Sequence, residues 1–540
     1  MKISGNIVDI VDSKIFPGTV VVSDGKITEI IEDSAEYSNY IIPGFVDAHI
    51  HIESSMLIPS EFARLAVVHG TVATVSDPHE IVNVLGVPGL DFMLENAAKV
   101  PFKFYFGASS CVPATSFETS GARLEADSIE KLLERKEIKY LSEMMNYPGV
   151  INRVPEVMAK LDVAKKLKVP IDGHAPGLIG EGLKKYVSAG IQTDHETYFY
   201  EEGLQKLDLG LKLIIREGSA AKNFNALHPF IGTFPNQCMF CSDDKHPDDL
   251  VKGHINQMAA RAVKLGYDKM DVLRIAILHP IKHYGLEVGL LQKGDPADMV
   301  VVDNLENFNA LKTYIDGKLV MENGKSLLTN MKVDTINNFN SGEKKVEDFV
   351  VKKAGKIINI IEAIDGQLIT RRLNLPAKFS GDNAVSDTDN DILKLTVVNR
   401  YKNVPPAVAF VRNFGLKNGA IASSFAHDSH NVVAVGTSDE YITRAANMII
   451  RNRGGLSLAI DREEELLSLP IAGLMTDADG YGVAEKYSKM TKIVRGNGSK
   501  LRAPFMTLAF MALLVIPEIK LSDRGLFDGK IFNFISLFEK

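Results

Sequence analysis

Two imidazoles and a carboxylate, His49, His51 and Glu53, stand two residues apart in the stretch 43–55, Pro-Gly-Phe-Val-Asp-Ala-His-Ile-His-Ile-Glu-Ser-Ser. Residues i and i+2 of an extended strand share a side, so this spacing aims the three at one spot. Neutral imidazole and carboxylate together suit a divalent metal ion. The apolar run 41–46 ahead of them reads as a buried strand. A surface strand would carry the same pair, so the weight falls on what the remaining chain supplies.

Matching groups follow other short apolar runs. Asp77-Pro-His79-Glu80 follows 72–76, Glu143 ends 139–144, His174 follows 169–173, His195-Glu196 follows 191–194, and Asp243-Asp244 follow 237–242. With 102–108 and 211–215 there are eight such runs, and helical spacing fills most gaps, as in 155–167 and 249–265. Eight strand-helix units predict an α/β fold, a (β/α)8 barrel over 43–284, whose chemistry sits beyond the C-terminal ends of its strands. An open doubly wound sheet is the alternative, but no Gly-x-Gly-x-x-Gly or phosphate loop stands at a strand end. Four imidazoles and two carboxylates suffice for two divalent ions roughly 3.5 to 4 Å apart, with one carboxylate bridging them.

The barrel needs companions, because 540 residues exceed one core. Short strands and turns in 1–42 recur in texture over 285–345, with Asp316-Gly317 as a hairpin turn, which predicts a small β-sandwich domain built from both flanks. Beyond a charged boundary at 342–348, residues 346–540 read as a C-terminal α+β domain of alternating strands and helices. A net charge of −7 argues against nucleic acid or an anionic membrane as partner. The run 504–516 is too short to span a membrane and reads as a buried helix. The first residues lack a signal peptide's apolar segment, and three cysteines are too few for a disulfide framework, so a cytoplasmic setting is expected.

The strings 43–56 (PGFVDAHIHIESSM), 76–81 (SDPHEI), 172–178 (DGHAPGL), 194–196 (DHE), 216–223 (REGSAAKN) and 241–249 (CSDDKHPDD) closely resemble the adenine deaminases of the amidohydrolase superfamily. So do 427–431 (HDSHN), 469–475 (LPIAGLM) and 517–525 (PEIKLSDRG), so the resemblance covers nearly the whole chain. It implies that His49 and His51 bind one metal, that His174 and His195 bind the other, and that Glu143 bridges them. Many superfamily members bridge with a carbamylated lysine, but Lys139 stands only at the start of its strand. Asp243 would be both a metal ligand and the group that takes a proton from the bridging water. The implied cofactors are two divalent ions, manganese or iron by family precedent, with zinc admitted by the donor set. The implied substrate is a small purine base and the implied assembly a homo-oligomer, dimer or higher.

The expected reaction is hydrolytic deamination of adenine to hypoxanthine and ammonia, a step of purine salvage, with the ring nitrogen N1 protonated as attack proceeds. Glu80 is preferred as that acid and Glu53 is second, while His79, Ser219, Asp244 and His427 are expected at the substrate. The metal set alone would equally support hydrolysis of a cyclic amide or an N-acyl group, and a non-enzymatic scaffold would be expected to have lost ligands. Cys238 and Cys241 lie three apart on a predicted strand and face opposite sides, which disfavours a zinc site there. Ser219 would also serve as a helix cap. Tyr198, Phe199 and Tyr200 either line a purine pocket or begin a helix. The cluster 427–431 either leans over the barrel mouth or forms a hydrogen-bonded turn.

Overall fold

A computed structural model describes residues 1–539. Eight parallel strands form the central barrel: β1 (Phe45–Ile50), β2 (Thr71–Ser76), β3 (Lys103–Ala108), β4 (Ile138–Met144), β5 (Ile171–Gly173), β6 (Thr193–Asp194), β7 (Lys212–Arg216) and β8 (Cys238–Cys241). β1 to β5 pair in sequence, as do β6 to β8. The barrel closes where Ile50 bridges Asp243 in parallel, with Asp243 N–H donating to His49 O at 2.9 Å. On the opposite side Gln192 N–H reaches Ile171 O at 2.9 Å and joins β5 to β6. All six residues of β1 and of β2 are buried, as expected for parallel strands covered on both faces.

The run 41–46 is not one strand, which corrects the expectation above. Ile41 and Ile42 belong to Tyr40–Pro43, which pairs with Lys2–Asp9 and Met299–Val302 in a different sheet. The chain changes sheets at Gly44, where an added Cβ would fall 2.3 Å from Val72 Cγ2, so only glycine lets the two layers approach. Both strands are buried, so hydropathy could not separate them. His49 therefore lies inside its strand and not beyond it.

That second sheet has eight strands drawn from both flanks of the barrel, with Tyr40–Pro43 joining the N-terminal ribbon to the strands of 299–326. Ile3, Ile7, Val20, Ile41, Met299 and Val301 fill its core. A third sheet, also of eight strands, runs from Thr370–Pro376 to Glu463–Ser468 in largely antiparallel order. The alternation of strands and helices expected there is mostly hairpins, with helix Asp439–Asn452 laid on the sheet through Ile442, Ala445 and Ile449 and a longer helix, Gly480–Gly496, after its last strand. Two adjacent strands, Ala420–Ser423 and Val432–Gly436, are joined by the loop that carries 427–431. The run 504–516 is helical only over Pro504–Phe510, all of it buried. No helix among the described residues is long and apolar enough to cross a membrane.

Candidate metal centre

The strand ends gather the expected ligands into one buried cluster. His49 comes from β1, His51 follows it, Glu143 lies in β4, and His174, His195 and Asp243 follow β5, β6 and β8. Nε2 of His51 stands 3.2 Å from Nε2 of His49, 3.2 Å from Glu143 Oε1 and 3.3 Å from Asp243 Oδ1. The other oxygen of Glu143 lies 2.6 Å from His174 Nδ1 and 3.2 Å from His195 Nε2. Glu143 thus turns one oxygen to His51 and the other to His174 and His195. The rings of His49 and His195 stack with centroids 4.1 Å apart, which joins the two pairs.

These donors fit divalent cations. His51 donates Nδ1–H to Asp77 O at 3.1 Å, which leaves Nε2 as a lone pair facing a second imidazole and two carboxylate oxygens. Lone pairs so crowded repel unless a cation lies among them. His49 Nδ1, His174 Nε2 and His195 Nδ1 are buried without a hydrogen-bond partner. An amidohydrolase-like set of buried histidines and carboxylates, with no thiolate among them, implies divalent metal use. The three cysteines are buried, and burial pushes the Cys238 thiol up to about 12, so none offers a thiolate.

The charges around the centre are fixed from outside it. Burial alone would raise the Asp243 carboxyl, but the Arg216 guanidinium leads the charges that outweigh it and hold Asp243 well below the usual carboxylate range. Arg216, from the end of β7, donates Nη1–H to Asp243 and to Glu196, with Nη2 on Glu196 Oε2 at 2.9 Å. It is 1% exposed, so this guanidinium is a fully desolvated counter-charge for both acids. Asp243 itself takes a positive φ of 51°, a conformation tolerated best by glycine, asparagine and aspartate. Neither Arg216 nor Glu196 was assigned a role from sequence, although both stand at strand ends.

Over this cluster lies a cap from the C-terminal third of the chain. Glu80, at the start of helix His79–Leu85, is gripped by Nδ1 of His427 and Nε2 of His430. Burial works to raise the Glu80 carboxyl, yet His427 and His430 outweigh it and hold it ionised. Burial likewise works to lower His427, and Glu80 with Asp244 lifts it to about 9. The proton of this pair therefore resides on His427 and not on Glu80. His427 Nε2 stands 3.8 Å from Asp244 Oδ1, which in turn accepts from Ser54 Oγ. The loop 427–431 thus leans over the barrel mouth and is hydrogen-bonded as well.

The enclosed space is small, about 20 Å³, bounded by the ligands and, on the cap side, by Leu368, Phe510 and Leu513. Not every expected substrate residue borders it. His79, Asp244 and His427 do, whereas Ser219 does not: its hydroxyl accepts His246 N–H at 2.9 Å and fastens the loop after β8. Glu80 borders it and Glu53 does not. Glu53 Oε1 accepts Ile81 N–H at 3.1 Å, and burial raises its carboxyl to about 7. Tyr198 donates its hydroxyl to Glu196 at 2.6 Å, Phe199 is exposed and caps the helix that Tyr200 opens, and the Tyr200 ring stacks on Phe230, so the helix-start alternative holds for Phe199 and Tyr200 and neither alternative for Tyr198.

Residues 40–320 match the amidohydrolase family, and residues 367–533 match the adenine deaminase C-terminal domain. A protein named adenine deaminase from Sulfurovum sp. is 58% identical over 99% of both chains. Relatives of the same name from Salinibacter ruber and Methanosarcina mazei are 52% and 50% identical, each over 99% of both chains.

Proposed function

Because this chain belongs to the amidohydrolase family, and within it to the adenine deaminases, we propose that it hydrolyses adenine to hypoxanthine and ammonia at the strand-end cluster. The observation that carries the reading is the crowding of three imidazoles, His51, His174 and His195, around the two oxygens of Glu143, with His49 and Asp243 beside His51. His49, His51, Glu143, His174, His195 and Asp243 would hold two divalent ions, which supply water of lowered pKa, from 15.7 towards roughly 7. The imidazole and carboxylate donors accept manganese, iron or zinc, and the resemblance to the adenine deaminases leans towards manganese or iron. Elemental analysis of the purified protein decides among them.

C6 of adenine is a weak electrophile, so the chain's own groups must manage two protons. Asp243 takes the proton of the attacking water as the C6–O bond forms, and returns one to the amine as the C6–N bond breaks. Arg216 fixes its second oxygen, which keeps Oδ1 turned towards the imidazoles. On the other side of the ring, Glu80 relays to N1 the proton that rests on His427, so that the ring accepts the electron pair. Asp244 beside His427 favours the reloading of that pair. Leu368, Phe510 and Leu513 must part to admit a bicyclic base and then exclude water behind it.

The deciding experiment follows ammonia release from adenine, adenosine, guanine and cytosine with metal-loaded protein. Release from adenine is expected, and release only from another substrate overturns the reading. Glu80→Gln is expected to lower kcat by about 10²-fold or more with metal content unchanged. Near wild-type turnover would remove Glu80 from the relay.

A further inference from the structure

Beside the metal centre lies a larger cavity, about 630 Å³, between the loops that follow β3 and β4 and the C-terminal segment at Pro517 and Lys530. Three cationic side chains border it, Arg123, Lys160 and Lys530, against one acid, Glu156. Arg123 takes up that acid, with Nη2 2.8 Å from Glu156 Oε1 and Nε 3.3 Å from Glu125 Oε1, and Lys530 pairs with Glu518. Lys160, on helix Pro155–Leu167, is 6% exposed and pairs with no carboxylate among the described residues. Its ammonium makes one hydrogen bond, to Ser110 O at 2.8 Å, so two of its three donors have no protein acceptor. Burial lowers this ammonium from the ordinary 10.5, the mark of a charge held out of water without full compensation. A desolvated cation without a counter-charge is unfavourable, and an anion entering the cavity would remove that cost.

We propose that this cavity is a second ligand site, independent of the reaction proposed above, which takes a small organic oxyanion with its phosphate or carboxylate group on Lys160. The volume falls within the roughly 300 to 1,000 Å³ of small-molecule sites, where apolar walls hold the body of a ligand and a few polar groups fix its orientation. Pro113, Tyr147, Val157 and Phe532 supply apolar wall here, and the Lys160 ammonium supplies the charge. Charge-assisted hydrogen bonds from an ammonium to an oxyanion are about twice as strong as those between neutral groups, so the free donors of Lys160 select for the anion. The site adjoins the metal centre without sharing a side chain with it. Ser110, which accepts from Lys160 through its carbonyl, donates its own hydroxyl to Glu143 O at 2.6 Å, and the two cavities therefore stand on either side of the end of β4.

The test titrates metal-loaded protein calorimetrically with phenyl phosphate, benzoate and neutral benzamide, in the wild type, Lys160→Met and Lys160→Arg, with metal content and melting temperature checked for each. The wild type is expected to bind at least one of the two anions about tenfold or more tighter than benzamide, and the tighter of the two identifies the head group. Lys160→Met is expected to weaken that anion at least about tenfold and to leave benzamide unchanged, while Lys160→Arg keeps the charge and retains most of the preference. A wild type that prefers neither anion to benzamide overturns the assignment. So does anion binding undiminished in Lys160→Met, which would place the anion on the metal ions or on the surface. Should the methionine variant fail to fold, Lys160→Gln decides in the same way.

Discussion

The rim of the barrel and the loop over it both bury histidines against a carboxylate, yet they are built in opposite ways. On the rim, Glu143 meets His51, His174 and His195 because each stands at or beside the end of a strand, and the barrel closes those ends into a ring. In the cap, Glu80 meets His427 and His430 across roughly 350 positions, and nothing local in either segment demands it. The rim is held by the backbone ladder of the barrel. The cap is held by side chains: Arg400 backbone N–H donates to Asn431 Oδ1 at 3.0 Å, its Nη1 to His430 O at 3.3 Å, and Tyr401 hydroxyl to Ser429 O at 2.6 Å. Under the proposed reaction the rigid half would bind metal and the anchored half would handle the base.

That contrast is broken most severely at its rim. Glu143→Gln is expected to cut turnover by more than about 10²-fold, since even outer partners of metal ligands are worth 10- to 100-fold, and to drop metal content below two ions per chain. Chelation of the wild type should lower its melting temperature, because metal binding adds to folding free energy. Elemental analysis and calorimetry check both, and full turnover with two ions bound would remove Glu143 from the centre.

The cap should respond less and differently. Arg400 is buried with no carboxylate partner among the described residues and lies over the ring of Phe339 at 4.9 Å. Arg400→Met strands the carbonyl of His430 and the Oδ1 of Asn337, an expected cost of about 1–3 kcal/mol in stability. Turnover should fall about tenfold through misplacement of the Glu80 pair, with metal content unchanged. Loss of metal in this variant would mean that rim and cap are one unit and would erase the distinction.

The smallest effect is expected at the cap's outer wall. Lys520 is buried and donates to the carbonyls of Leu368 and Phe510, two of the side chains that close the cavity. Burial lowers its ammonium from the ordinary 10.5 to about 7. Between those values the unfolded chain binds the proton and the folded chain does not, so stability rises with pH across about 7 to 10.5, by at most about 1.4 kcal/mol per pH unit. Lys520→Met should flatten that slope, read as the difference in unfolding free energy between pH 7 and pH 9. An equal slope in both proteins would place the pH dependence elsewhere.

Much of the rim was legible because strand ends announce themselves: an apolar run stops, and His174, His195 or Asp243 follows. Legibility failed wherever two buried layers met. The break at Gly44 was invisible to hydropathy, since Ile42 and Phe45 are equally buried in different sheets. Arg216 was passed over because only the folded barrel sets a β7 guanidinium between a β6 loop acid and a β8 loop acid.

By itself the sequence marked the candidate metal donors, because imidazoles and carboxylates at successive strand ends stand out from the apolar runs before them, although Glu53, at the same spacing as His49 and His51, turns away to Ile81 N–H. Which buried carboxylate is held ionised, which one is left without a donor, and which serine bonds the loop after β8 were decided by tertiary structure alone. Those properties depend on desolvation and on charges brought from distant segments, as Glu80, Asp428 and Ser219 each illustrate. Both act through space over a few ångströms, and sequence order carries no such distance.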